Sequence, residues 1–245
     1  MPFFNSGRHI EACVDSLLNQ EGIERPYELI FVNNGSTDAS ASLVERAGGG
    51  VTMLEESRPG AYAARNTGIR EARAPLIAFT DADCTVDSDW LRVMLDAMSD
   101  PSLAILVGHF RYPRHASPAL HLLGAYENAK TEYVLNRCPS SQHFAYANNM
   151  AVRASVFEEL GMFKEWKRAS DTEFVHRLAK RRPDLRLAYC RAMRINHLEF
   201  ISARARMQRL LLYQQTNAKV GSFEELGSSK RFAALTYLFR GRWRR

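Results

Sequence analysis

The 245-residue chain has no apolar stretch approaching the roughly 20 residues that cross a bilayer, so no membrane-spanning helix is expected. The opening Met1-Pro2-Phe3-Phe4-Asn5-Ser6-Gly7-Arg8 also lacks the apolar core of a signal peptide. Cys13, Cys84, Cys138 and Cys190 lie far apart with no CxxC pair. That spacing gives no support to a zinc site or a disulfide framework, and the four read as reduced, mostly buried thiols. No repeat, low-complexity tract or interdomain linker interrupts the chain. What is present is 46% hydrophobic and 24% charged, a composition that builds one large domain or a domain with an appendage, with the cytoplasm as the expected location.

Charge is unevenly spread beneath a net +6. Residues 1–160 hold 13 Lys+Arg against 20 Asp+Glu, net −7, whereas residues 161–245 hold 20 against 7, net +13. The chain ends in Lys230-Arg231-Phe232-Ala233-Ala234-Leu235-Thr236-Tyr237-Leu238-Phe239-Arg240-Gly241-Arg242-Trp243-Arg244-Arg245, where aromatics and cations mix as in an interfacial helix on anionic lipid. Two readings stand side by side: peripheral contact with an anionic membrane, and a solvated basic helix that packs its Phe and Leu side on the domain. A nucleic-acid partner would rest on tail charge alone and is not expected.

Hydrophobic periodicity predicts an alternation of helices and strands. Asn5 or Ser6 caps a helix bearing Ile10, Val14, Leu17 and Leu18, and Tyr27 to Val32 follows as a buried strand. Asn34-Gly35 turns, Ser36 to Asp38 caps a helix to about Ala47, and Gly48-Gly49-Gly50 ends it before a strand over Val51 to Leu54. Then come a helix over Ala61 to Ala72, a strand over Leu76 to Thr80, a helix over Trp90 to Met98 capped by Asp87-Ser88-Asp89, and a strand over Leu103 to Phe110. This predicts an α/β fold with a largely parallel sheet covered by helices on both faces. Beyond residue 111 the rhythm becomes α+β: a helix over Leu120 to Leu135, an extended Phe144 to Val152, short helices over Ala154 to Leu160 and Asp171 to Lys180, a strand over Ala192 to Asn196 and a helix over 201–219.

Ligands of open α/β sheets bind beyond the carboxyl ends of the strands, and three segments converge there. Asp81-Ala82-Asp83 ends the Leu76 strand, and hard carboxylate oxygens suit magnesium or manganese whose shell is completed by phosphates. Asn33-Asn34-Gly35-Ser36-Thr37-Asp38 supplies amides for a base or ribose and a helix N-terminus that favours anions. Arg65, in Ala63-Ala64-Arg65-Asn66-Thr67-Gly68, offers a phosphate or structural contact.

In order and spacing these segments resemble the inverting family-2 glycosyltransferases of the GT-A fold, over about residues 1–200. Met1 to Asn5 looks like the end of that family's first strand, and residues 33–38 like its nucleotide loop. Residues 63–69 resemble its following helix and Thr80 to Asp83 its DxD motif. Asn148-Asn149-Met150, with Val156-Phe157 and Gly161-Met162-Phe163, resembles the lining of the sugar and acceptor pocket. Ser170-Asp171-Thr172-Glu173-Phe174 is similar to the Glu-Asp motif that carries the catalytic base.

The resemblance implies a nucleotide-diphosphate sugar donor, a saccharide or lipid-linked acceptor, and a Mn2+ or Mg2+ ion. Pro2, Phe4, Asn33, Asn34, Arg65 and Asp81 would contact the nucleotide. Asp83, Asp81 and His197 would hold the metal, Asn148, Asn149 and Trp166 would line the acceptor pocket, and Asp171 would be the base. The structural counterpart for Asp171 is an N-cap of its helix, and for His197 a polar residue capping the next one. His9 and His176 read as helix-surface residues, and His109, His115, His121 and His143 as structural or solvated.

Under the resemblance, residues 1–200 form the glycosyltransferase domain, with a nucleotide-binding half to 110 and an acceptor half beyond it, and residues 201–245 form a basic helical extension. Two departures from the family pattern follow. The apolar residues that normally precede Pro-x-x-Asn at the sheet centre are absent, so that either the true start lies upstream, or residues near Met1 supply a shortened strand, or something else fills the slot; and Ser170 replaces the usual Glu. These departures sustain a second reading, a non-catalytic sugar-nucleotide-binding or scaffold protein. Nucleotidyl transfer would need a Gly-rich, Lys-containing phosphate loop near the N-terminus, which this chain lacks.

Overall fold

The computed structural model describes residues 1–48, 50–112, 116–199 and Gln208. His115, the helix expected over 201–219 and the basic stretch to Arg245 therefore lie outside the described residues, Gln208 excepted.

The first half alternates as its periodicity predicts: β1 (Pro2–Phe3), α1 (Ile10–Leu18), β2 (Leu29–Asn33), α2 (Ser40–Arg46), β3 (Val51–Glu55), α3 (Ala61–Glu71), β4 (Leu76–Thr80), β5 (Cys84–Val86), α4 (Trp90–Ala97) and β6 (Leu103–Arg111). After it come α5 (Pro118–Arg137), β7 (Asn149–Arg153), α6 (Ala154–Leu160), α7 (Ser170–Arg181) and β8 (Arg186–His197). β1 spans two residues, which pair Pro2 with Val32 and Phe3 with Asn33.

The strands form two sheets. β1-β2-β3 is parallel throughout, whereas β4-β7-β6-β8-β5 is mixed, with β6 and β8 parallel and its other pairs antiparallel. The parallel pairing thus concentrates in the first sheet. Residue 110 is not a structural boundary, because β4, β5 and β6 are hydrogen-bonded to β7 and β8 from the later half.

One core packs α1 and α4 against the sheets through Ile10, Val14, Leu17, Phe31, Trp90 and Met94. A second is aromatic: Phe157 stacks on Phe174 at 4.7 Å, and Phe79 and Phe163 meet them edge-on at 5.1–6.0 Å. Each buried ring removes a large apolar area from water, and the edge-on contacts add favourable quadrupole geometry. This cluster seats α6 and α7 on β4.

Helix starts differ from expectation. Asn5 and Ser6 do not cap α1, which begins at Ile10 behind an uncapped His9. Asn5 instead sits at φ 47° and accepts the Thr37 N–H (2.8 Å), tying the end of β1 to the loop after β2. Asp89 is the N-cap residue of α4 but makes no capping bond and pairs with Arg92, while Asp87 holds Arg111 and Arg194. Both carboxylates are instead taken up by guanidinium groups, whose forked N–H donors carry a full opposite charge.

Candidate functional site

The carboxyl ends of β2 and β4 lie on one edge with the start of α7. Asp81, just past β4, accepts from Arg65 Nη2 at 2.5 Å. Arg65 is buried, its Nε has no hydrogen-bond partner among the described residues, and its guanidinium sits 5.1 Å from the Tyr62 ring centre. Burial, and then the nearby Asp171 charge, push the Tyr62 pKa well up. Arg65, Tyr62 and Asp171 are buried, and Arg65 joins them to Asp81.

Asp171 does not act as an N-cap. That position belongs to Ala169, in left-handed backbone at φ 64°, and Asp171 is the second helical residue, buried at 8% exposure. Its carboxylate accepts the Ala147 N–H (3.0 Å) and the Thr172 N–H (2.9 Å). Burial nonetheless holds its proton affinity above the ordinary carboxylate range, opposed by the Ala147 N–H and the Arg65 charge. A carboxylate so placed is a stronger base than one in water.

Asp83 and His197 come together as the sequence predicts, through β5 and β8. Cys84 pairs with His197 in the ladder, the Leu198 N–H bonds the Asp83 carbonyl (2.7 Å), and His197 Nε2 lies 3.5 Å from Asp83 Oδ2. Burial raises the Asp83 pKa, with His197 acting against it. Atoms of Asp83, Cys84 and His197 all lie within 4.8 Å of one another. The carboxylate and imidazole suit a divalent ion. The buried Cys84 thiol, its pKa pushed well up by burial and then by Asp83 and Asp81, is a poor ligand for a hard cation. Among the described residues His197 Nδ1 is buried without a hydrogen-bond partner.

Three expected contacts fall elsewhere. The Asn33 amide bonds Glu55 (3.0 Å) and the Ser36 N–H (2.9 Å), and the Asn34 amide bonds the carbonyls of Glu56 and Arg58 and the Gly60 N–H, each at 2.8 Å. Both side chains are consumed in shaping the loop, leaving little capacity to read a base. Asn149 is buried in the fold, not in a pocket: it donates to the carbonyls of His109 (2.9 Å) and Met193 (3.0 Å) and accepts from Trp90 Nε1 (2.9 Å). An amide has few hydrogen-bonding sites, and packing has used these.

Asn148 is half-buried beside Ala147, Pro2 is buried in β1, and Phe4 stands exposed past the end of that strand. Trp166 is exposed, with Lys164 Nζ 4.9 Å from its ring centre. Its segment is fixed by a two-way bond between Asn66 and the Phe163 backbone and by the Arg58–Glu165 pair (2.9 Å). Neither this clasp nor Tyr62 was marked by any motif, although the Tyr62-to-Arg65 spacing puts both on one face of α3.

Residues 1–161 match the model of Glycosyl transferase family 2. Among curated relatives, the glycosyltransferase AglE of Haloferax volcanii is 27% identical over 169 residues, which span 66% of this chain and 54% of that protein. The chain thus spans about half the length of that relative. The mannosyltransferase PcManGT of Pyrobaculum calidifontis, solved with GDP-Man and Mn2+, aligns with 98% of this chain and 73% of its own at a TM-score of 0.68 and 19% identity. TarS 1–349 of S. aureus, solved with UDP, aligns with 97% and 69% at 0.64 and 15%. These likenesses establish the GT-A fold. With more than half of its residues matched to the family model, the chain belongs to glycosyl transferase family 2.

Proposed function

We propose that the chain transfers a sugar, with inversion, from a nucleotide-diphosphate donor to an acceptor hydroxyl during surface polysaccharide synthesis. The observation that carries this reading is the placement of Asp83 with His197 and of buried Asp171 on one edge, with Arg65 and Tyr62 between Asp81 and Asp171. Asp83 and His197 would hold a Mn2+ or Mg2+ ion, which supplies Lewis-acid stabilisation of the leaving diphosphate. Asp81, held by Arg65, faces the donor ribose. Asp171 takes the proton from the acceptor hydroxyl as the new bond forms at the anomeric carbon, and its raised proton affinity favours that step. Asn148 and Trp166 form the acceptor side. Phe4, beyond β1, is placed to stack on the base, while Asn33, Asn34 and Asn149 shape the site from behind.

The solved neighbours are complexes with GDP-Man and with UDP, so the donor nucleotide is the first property to determine. Calorimetric titration with UDP, GDP and dTDP, each with and without Mn2+, tests the reading. Metal-dependent binding of one nucleotide and turnover of its sugar conjugate are expected; tight binding without turnover would leave a non-catalytic nucleotide-sugar-binding protein. Among the described residues no helix is long and apolar enough to cross a membrane. We assign the chain to the cytoplasm, peripheral to the membrane through its basic C-terminal residues. Removing residues 230–245 is expected to weaken binding to anionic vesicles and to leave donor hydrolysis intact.

A further inference from the structure

β8 ends at His197 with its backbone held against Asp83 and Cys84. Cys84 pairs with His197 in the ladder, and the Leu198 N–H bonds the Asp83 carbonyl (2.7 Å). The imidazole is less tied than the backbone that carries it. Its Nε2 lies 3.5 Å from Asp83 Oδ2, whereas Nδ1 is buried without a hydrogen-bond partner among the described residues. A histidine that ligates a metal almost always donates its second ring N–H to a carboxylate, a carbonyl or water, and that bond fixes the orientation of the ring. At His197 the orientation has to come from packing.

Tyr112, just past the end of β6, lies against that ring. The two ring centres are 6.2 Å apart and the planes are tilted by 45°. Tyr112 is itself buried, and Phe110 meets it edge-on at 6.0 Å and 86°. α5 contributes Gly124, where a Cβ would come within 3.2 Å of Tyr112 Cδ2 and 3.3 Å of Cε2, so the bare backbone is what lets the helix lie this close. One turn further along α5, Asn128 accepts the Phe110 N–H (3.2 Å) and donates to the Phe110 carbonyl (2.7 Å), which clamps the helix to the end of β6. Contacts thus run from α5 through Tyr112 and His197 to Asp83.

We propose that Tyr112 is a positioning residue for the metal site: its ring, seated on Gly124 of α5, keeps the His197 imidazole turned with Nε2 toward Asp83. Resting on the reading of Asp83 and His197 as metal ligands, this role needs the ring of Tyr112 and not its hydroxyl. Tilted aromatic pairs attract through their edges and faces as well as by filling space. Without the ring the imidazole can take other rotamers, and the site loses its nitrogen ligand while the carboxylate stays in place.

The test titrates Mn2+ alone into the full chain and its Tyr112→Leu, Tyr112→Phe and His197→Ala variants. Electron paramagnetic resonance of the free ion gives the affinity, and its pulsed form reads the nitrogen coupling of a coordinated imidazole. Tyr112→Leu is expected to weaken Mn2+ binding by about tenfold or more and to lose the nitrogen coupling, as His197→Ala does, whereas Tyr112→Phe keeps the coupling and stays within about twofold of the unsubstituted chain. A Tyr112→Leu protein that keeps the coupling would overturn the proposal, whatever its melting temperature. So would a Tyr112→Phe protein that loses it, which would make the hydroxyl the active part, or a coupling that survives His197→Ala. An unsubstituted chain that binds Mn2+ without nitrogen coupling would reject the proposal and His197 as a ligand but leave Asp83 in place; no Mn2+ binding at all would reject the metal reading with it.

Discussion

Asp171 has a proton affinity set by two opposing forces, burial and the N–H groups of Ala147 and Thr172. Asp171→Asn keeps the shape and removes the carboxylate proposed as the base. Donor binding is expected to stay within about twofold while transfer falls by roughly 10²–10⁴, read by nucleotide titration beside initial rates. Because the carboxyl must be ionised to act, the acid limb of the pH–rate profile should lie above the ordinary carboxylate range; a limb at the usual aspartate value would remove the base assignment. Asp83→Ala is expected to abolish the Mn2+ dependence of nucleotide binding, measured by the same titration, and to leave the melting temperature nearly unchanged or higher, since it deletes a buried charge. The meeting of Asp83 with His197 was legible in the chain because each stands at a strand terminus. The amides of Asn33, Asn34 and Asn149 were not, since an amide serves a ligand or the fold depending on neighbours that only tertiary packing supplies.

At the level of the element, β6 shows how a strand interior can depend on one glycine. Gly108 sits at a register shift between β6 and β8, and a Cβ there would meet the Asn149 amide at 2.2 Å and the Met193 carbonyl at 2.5 Å. The amide cannot swing away, being bonded to His109, Met193 and Trp90, and the carbonyl is backbone. Gly108→Ala is therefore expected to destabilise by about 2–4 kcal/mol through overpacking, measured by urea denaturation. Asn149→Ala, which leaves the Trp90 N–H and two carbonyls unpaired, should cost a similar ~2–4 kcal/mol. Elements with clear periodicity and an apolar stripe, such as α4 and β6, fall within a residue or two of where the chain places them. What periodicity did not reveal was pairing: the same apolar run reads as a buried strand whether its neighbours are parallel or antiparallel, so the mixed second sheet was hidden.

Across the whole molecule, the half-buried His109 imidazole and the enclosed Met1 amino nitrogen make stability depend on pH. His109 is pushed down to about 4 by burial and then by Arg191, Arg111 and Arg194, and the Met1 amino group to about 5 by burial and then by Arg65. Both resist protonation when folded but accept it when unfolded, at the ordinary values of 6.5 and 8.0. The unfolded state thus binds more protons between pH 8 and 4, and stability falls as pH drops through that window. Asp83 and Asp171, with raised affinities, act in the opposite sense, beginning from the ordinary carboxylate value of 3.8. Denaturation midpoints are expected to decline steadily from pH 8 to 5, and His109→Gln should flatten the part below about pH 6.5. The pairing of β5 with β8 carries a further consequence for how the molecule comes into being. Asp83 leaves the ribosome more than a hundred residues ahead of its partner His197, and the strand that joins them is the last described element of the chain. The acidic site therefore cannot mature during synthesis of the first half, and a nascent or prematurely ended chain carries the DxD residues without the imidazole beside them.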